Sequence, residues 1–205
     1  KSYYPSDYSP NAGWADYYGN EDFFKAYPND DRKEWNYMTE WKIKSGEIIP
    51  YTESADKLPA ISKYYDYDEG APGKSAQSNG ITCIYRYAEV LLMYAEASTR
   101  ATNTVNQDAL NAIQEVQKRA GYQDRQIELT TTTEPTAFLA AVSNERGWEF
   151  FAEMKRWFEL VRLEKVKEVR AEEWDASTFN TNHHYYFPVP YQQVDLAGWT
   201  NNAGY

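Results

Sequence analysis

At 205 residues and a formal net charge of −10, the chain is long enough for one domain with a real core and too acidic to favour nucleic acid or an anionic membrane as partner. Its one cysteine, Cys83, excludes an internal disulfide, and no apolar run is long enough to span a bilayer. Aromatic residues make up 17% of the sequence, 19 Tyr and 7 Trp among them; such rings join a flat apolar face to a polar edge, which suits amphipathic ligands, sugars above all.

Residues 1–41 hold twelve aromatics, spaced among Pro5, Pro10, Gly13, Gly19, Pro28 and several Asn and Asp with no helical or strand period. That is turn and loop chemistry. The segment reads either as a binding surface on a rigid scaffold or as a loop folded onto the core by its own rings. Residues 30–59 are charged and mixed, with short strands or turns expected around residues 37–43. Residues 62–80 end in EGAPGKSAQSNG and predict an exposed connection. The run from Gly70 to Lys74 does not have the spacing of a phosphate-binding loop, which argues against a nucleotide site.

Residues 81–101 predict a strong helix, since Ile81, Ile84 or Tyr85, Ala88, Leu91 or Leu92 and Ala95 recur at steps of three and four. Cys83 falls inside that pattern and is expected in the core. Asn106 caps a second helix running to Arg119, with Leu110, Ile113, Val116 and Ala120 on its apolar side and Gly121 at its end. Small residues at Ala88, Ala95, Ala97, Ala109 and Ala112 let the two helices approach as an antiparallel hairpin of the size used in helical repeats. Thr131 to Thr133 supply a cap for a third helix, with Pro135 in its first turn.

Residues 144–163 (NERGWEFFAEMKRWFELVRL) have helical spacing but few residues suited to solvent. Glu145, Glu149 and Glu153 recur every four residues and stack on one side, while Trp148, Phe150, Phe151, Trp157, Phe158 and Leu160 crowd the rest. Such a helix is expected to be buried with its charges paired, broken once near Met154 and continuing towards Val169. Arg146 lies three before Glu149 and Glu153 three before Arg156, so ion pairs along the helix are the expected partners. Beyond Trp174 the chain turns irregular, with a proline-fixed run at residues 187–190 and a turn-rich end at residues 195–205.

Four of these segments carry a resemblance. Residues 85–97 (YRYAEVLLMYAEA) resemble the hallmark helix of the SusD/RagB family, and the helix ending Lys118-Arg119-Ala120-Gly121 is similar to that family's arginine-alanine-glycine ending. The 144–162 block looks like its "ERRWELAFEGHRWFDLVR" block, and residues 187–190 with the closing Asn202-Ala203-Gly204-Tyr205 are similar to its proline-bearing segment and its asparagine-proline-glycine-tyrosine end. Asp31-Arg32 is similar to an aspartate-arginine pair that precedes the hallmark helix. Met154 stands where the family has glycine, so a gentler bend is expected, and Ala203 stands where it has proline.

The resemblance implies a mostly α fold: a TPR-like portion of a SusD-type α–α superhelix, with long irregular loops and few short strands. It implies that the chain is the C-terminal half of a family member, without the N-terminal helical repeats, signal peptide and lipidated cysteine. On that reading residues 1–80 are an aromatic-rich loop region forming the ligand surface, and residues 81–205 are the helical core. The implied role is non-catalytic capture of a glycan or other nutrient on the extracellular face of the Bacteroidota outer membrane. Delivery would be to a SusC-like TonB-dependent transporter, with the membrane reached only through an N-terminal lipid anchor.

The residues themselves give a candidate ligand set. Trp14 is the expected stacking platform, Tyr17, Tyr18, Tyr3, Tyr4 and Tyr8 supply further ring or edge contacts, and Asn11, Asp16 and Asn20 are placed to bond sugar hydroxyls. No cofactor or catalytic residue is assigned. A glycoside hydrolase would need two carboxylates in an open cleft, whereas the glutamate ladder is expected among packed rings. A helical-repeat module binding another protein is the other alternative. His183-His184 are read as surface or packing residues, because neighbours on an extended chain face opposite ways and do not share a metal.

Overall fold

The computed structural model describes residues 3–9, 13–65, 83–169 and 180–205. Helices dominate. The strands β1 (Tyr37–Met38), β2 (Glu40–Lys42), β3 (Ile48–Pro50) and β4 (Ala60–Ile61) are two or three residues long and pair antiparallel as β1–β4 and β2–β3. The chain divides into two compact units, Lys1–Glu153 and Met154–Tyr205.

Three helices form the core of the first unit: α3 (Tyr87–Thr102), α4 (Gln107–Arg119) and α5 (Pro135–Glu149). The Asn106 side chain caps α4 by accepting from the Ala109 amide at 2.8 Å. Gly121 follows with φ +83°, and a Cβ there would meet Asp31 Oδ2 at 2.5 Å, so the close approach requires glycine. The cap of α5 is Glu134 rather than the threonines before it: its carboxylate accepts from the amides of Thr136 and Ala137 at 2.9 and 2.6 Å. An ionised carboxylate satisfies two orphan amides at the positive end of the helix, which one hydroxyl cannot. Leu92, Ile113, Phe138 and Val142 are fully enclosed between these helices. The hairpin of α3 and α4 is therefore the predicted one, with α5 laid against it.

The first of these helices is shorter than its apolar pattern suggests. Arg86 is extended, with φ −145° and ψ 162°, so α3 starts at Tyr87 and Ile84 and Tyr85 are exposed. Cys83 is likewise exposed, not in the core. A charged contact decides the boundary, because the Arg86 guanidinium turns away to the α5 carboxylates (below) and a helical start would withdraw it.

The segment read as loop contains more order. Asn20 caps α1 (Glu21–Ala26), and Asp30 caps α2 (Asp31–Asn36). Tyr27 and Tyr37 are buried, and the rings of Phe23, Phe24, Tyr27, Tyr37 and Phe151 form one edge-and-stack network with centroids 4.5–6.3 Å apart. Trp41 is buried and donates Nε1–H to Asp7 at 2.7 Å. The expected exposed connection lies mainly outside the described residues; at its start Ser62 is buried and donates to the Trp35 carbonyl at 2.7 Å.

The expected break is present, as a run of turn between Glu149 and Arg156. Ala152 and Met154 both have φ +60°. The second unit then holds α6 (Arg156–Arg162), α7 (Val166–Val169), α8 (Thr181–His184) and α9 (Tyr191–Ala197). His183 and His184 lie on α8 and not on an extended chain, with their rings edge to face at 4.7 Å. Tyr205 stacks on His183 at 4.2 Å, and Gly204 is needed there because a Cβ would meet His183 Nδ1 at 2.2 Å.

Met154 has the left-handed backbone that disfavours side chains and is 77% exposed, so it gives up little packing. Met154→Gly is expected to raise stability by up to about 1 kcal/mol, the relief of strain being partly offset by a freer unfolded chain. Urea denaturation checks this; a clear loss of stability would contradict it.

Candidate functional site

The glutamate ladder, with Glu145 and Glu149 on α5 and Glu153 on the turn after it, is the densest charged cluster in the described structure, and its partners come from far along the chain. Glu145 and Glu149 are 0% and 2% exposed. Arg32, at the start of α2, donates Nη1 to Glu145 at 2.6 Å and to Glu149 at 2.8 Å, and its other nitrogens bind Asp30. Arg86 holds Glu149 and, at 3.0 and 2.7 Å, Glu153; Arg119, closing α4, holds Glu149 as well. Lys63 completes the set through Glu153 at 2.6 Å and the Glu149 carbonyl at 3.2 Å. Tyr122 and Gln117 donate to the second oxygen of Glu145. Four cations thus meet four carboxylates.

The pairs expected along the helix do not form that way. Arg146 lies 3.7 Å from Glu89 and over the Phe150 ring, while Arg156 pairs with Glu159. Helical neighbours three apart offer little when guanidiniums from other segments reach the same carboxylate with better geometry.

Electrostatics follow the partners. Burial works against the Glu149 carboxylate, yet Arg86 and Arg119 more than offset it and bring its pKa down to about 2. Glu153 is lowered against the same cost of burial by Arg86 and Lys63. Burial dominates at Glu145 and pushes its carboxyl above the ordinary range, despite Arg32. Chemically this is a closed network: its acids are held by fixed cations, and no pair of them faces an open cleft. A groove of about 260 Å³ runs past it, lined by Arg86, Tyr87, Leu91, Val116 and Arg119 among others, but Arg86 is spent on the carboxylates.

The predicted ligand residues fall into two groups. Trp14 and Tyr17 are 58% and 55% exposed, and Asp16 between them is exposed. Gly13 presses on the Tyr4 backbone so closely that a Cβ would lie 1.7 Å from the carbonyl oxygen, and Ala15 donates to that same oxygen at 3.1 Å. Trp14 is thereby held on a fixed backbone. Tyr3 lies 5.5 Å from Tyr17, ring to ring. Tyr4, Tyr8, Tyr18 and Asn20 are committed elsewhere. Tyr4 is buried, Tyr8 shares a hydrogen bond with Tyr65 at 2.9 Å, Tyr18 donates to Asp56, and Asn20 caps α1. Asn11 lies outside the described residues.

The profile of the SusD family matches residues 2–205. The chain belongs to the SusD family. It is 28% identical over 200 residues to SusD-like protein P2 of Formosa agariphila, covering 88% of this chain and 39% of that one. A SusD superfamily protein from Parabacteroides distasonis superposes with a TM-score of 0.77 at 23% identity, over 100% of this chain and 46% of its own. A laminarin-binding SusD-like protein gives 0.68 at 19% identity, over 100% of this chain and 44% of its own. The chain therefore spans less than half the length of these SusD relatives, and the mostly helical SusD fold is shared with them.

Sequence reasoning found the glutamates but not their cations. Arg86 and Arg32 stand in the sequence as letters of the family motifs and Arg119 as a helix end, and nothing local announces pairings 30, 63 and 113 positions apart. Tyr64, whose ring lies 5.5 Å from Tyr3, was missed because it opens a stretch that reads as a connection.

Because the folded pKa of Glu149 is below its ordinary 4.5, the stability it contributes is fully present above about pH 5 and is lost as the pH falls towards 2. The shift corresponds to about 3 kcal/mol at about 1.4 kcal/mol per unit. Urea unfolding between pH 6 and pH 2.5 should show that loss, with carbon NMR of the glutamate carboxyls placing one titration near 2. A Glu149 titrating at its ordinary value would contradict the network.

Proposed function

We propose that this chain is the part of a SusD-family surface protein that binds a glycan without cleaving it, for delivery to a SusC-like TonB-dependent transporter. The observation that carries the reading is the exposed aromatic surface around Trp14 and Tyr17, fixed by the backbone pairing of Gly13 and Ala15 with Tyr4 and Pro5. An aromatic face meets the apolar C–H face of a pyranose, and short polar side chains such as Asp16 meet its rim. Membership of the SusD family supports the role, and one structural neighbour is described as laminarin-binding.

On this reading residues 1–80 supply the ligand surface and residues 81–205 the helical core, with Trp14, Tyr17, Tyr18, Tyr3, Tyr4, Tyr8, Asn11, Asp16 and Asn20 as the candidate contacts. Tyr4, Tyr8, Tyr18 and Asn20 act there by shaping the surface more than by touching ligand. The carboxylates of Glu145, Glu149 and Glu153 support the non-catalytic reading, since each is engaged by arginine or lysine. On the same reading, attachment to the outer membrane is through an N-terminal lipid anchor; no helix of the described residues is long and apolar enough to cross a membrane.

Isothermal titration against soluble polysaccharides, laminarin first among them, tests this. Binding by the wild type, weakened about tenfold in Trp14→Ala, is the expected result. No binding across the panel would overturn the reading, and unchanged affinity in Trp14→Ala would remove Trp14 from the site.

A further inference from the structure

Residues 59–65 form a strap between the ionic network and the loop that carries Trp14 and Tyr17. Pro59 accepts the Gly19 amide at 2.9 Å and Ala60 bridges to Tyr18, so the backbone just beyond Tyr17 hangs on the start of the strap. Ser62 is fixed to the end of α2 through the carbonyls of Trp35 and Asn36, at 2.7 and 2.9 Å. Lys63 reaches into the network, and Tyr64 donates its hydroxyl to the Ala152 carbonyl at 3.0 Å. Tyr65 shares a hydrogen bond with Tyr8 at 2.9 Å, and its ring lies 5.5 Å from that of Tyr4. The Tyr4 carbonyl in turn holds the Ala15 amide, beside Trp14, at 3.1 Å. Both flanks of the exposed pair Trp14 and Tyr17 are thus braced by one short strap.

From this arrangement we infer that Lys63 is a positioning residue for the ligand site: its ammonium sets where the strap lies, and through the strap where Trp14 and Tyr17 stand. The inference rests on the glycan-binding reading and adds a residue that acts on the site from the interior. What separates Lys63 from a plain member of the charge network is that Arg86 duplicates both of its contacts. Arg86 donates to the Glu149 carbonyl at 2.6 Å and to the two Glu153 oxygens at 3.0 and 2.7 Å. The Glu153 carboxylate therefore stays paired without Lys63. The strap, by contrast, has no other charged side chain among residues 59–65. An ion pair of 2.6 Å to a carboxylate only 9% exposed weakens steeply on displacement, so the ammonium pins the strap in one place. A loop already held in its binding geometry is not ordered at the expense of affinity; a released one is.

The test compares Lys63→Met and Lys63→Arg with the wild type in the intact 205-residue chain, by amide hydrogen exchange and by titration with laminarin and the other polysaccharides of the panel. Expected for Lys63→Met are faster exchange at the Ala15 and Gly19 amides, unchanged protection across α4, and affinity weaker by about fivefold. Lys63→Arg keeps the charge and should restore most of both. Unchanged exchange and affinity in Lys63→Met would overturn the inference. Protection lost equally across α4, or a Lys63→Met chain that circular dichroism shows unfolded, would overturn it too, since either makes the ammonium a support of the whole fold. Failure of every saccharide to bind the wild type would overturn the glycan-binding reading, and exchange at Ala15 and Gly19 would then decide alone whether Lys63 sets the loop.

Discussion

Glu149 receives three guanidiniums, from the start of α2, from the residue before α3 and from the end of α4. A carboxylate buried among Trp and Phe side chains is costly unless its charge is fully answered, and no single helix supplies three arginines in reach. Satisfying it requires the separate segments to arrive together. Arg32 sets where α2 begins, Arg86 ends the extended approach to α3, and Arg119 fixes the register of α4 against α5. Removing one partner would leave charge without compensation inside the fold.

The consequences reach the proposed ligand surface. Lys63 joins the same network, and Tyr64 follows it directly onto the turn at Ala152. The exposed ring of Tyr64 is thus tied to the interior by two successive residues. The division of labour is between a closed ionic scaffold, in which every acid of the ladder is engaged, and an open aromatic face. A hydrolase would need the reverse, with carboxylates open to substrate.

What the sequence disclosed followed range of interaction. The α4 helix was legible to its ends, because Asn106, the apolar spacing and Gly121 are all local signals. The glutamate ladder was legible as buried for the same reason. Helices α1 and α2 escaped notice, since each has six residues, too few for a period, and their caps Asn20 and Asp30 look like turn residues. The start of α3 and the exposure of Cys83 turned on Arg86 leaving the helix for Glu149, a contact made 63 positions away. Among the candidate ligand residues, Trp14 and Tyr17 could be named from density of aromatics alone. That Tyr4 and Tyr18 turn aside from Tyr3 and Tyr17, and that Tyr64 joins the exposed rings, depends on tertiary placement.

The account holds that the buried carboxylates build the fold and do no chemistry. Glu149→Gln in the intact chain, measured by urea unfolding, saccharide titration and reducing-sugar release together, tests that most directly. The account predicts a loss of about 3–5 kcal/mol from breaking the buried pairs, wild-type affinity wherever the variant remains folded, and no sugar release from either protein. Sugar release by the wild type that vanishes in the variant, with stability unchanged, would contradict it.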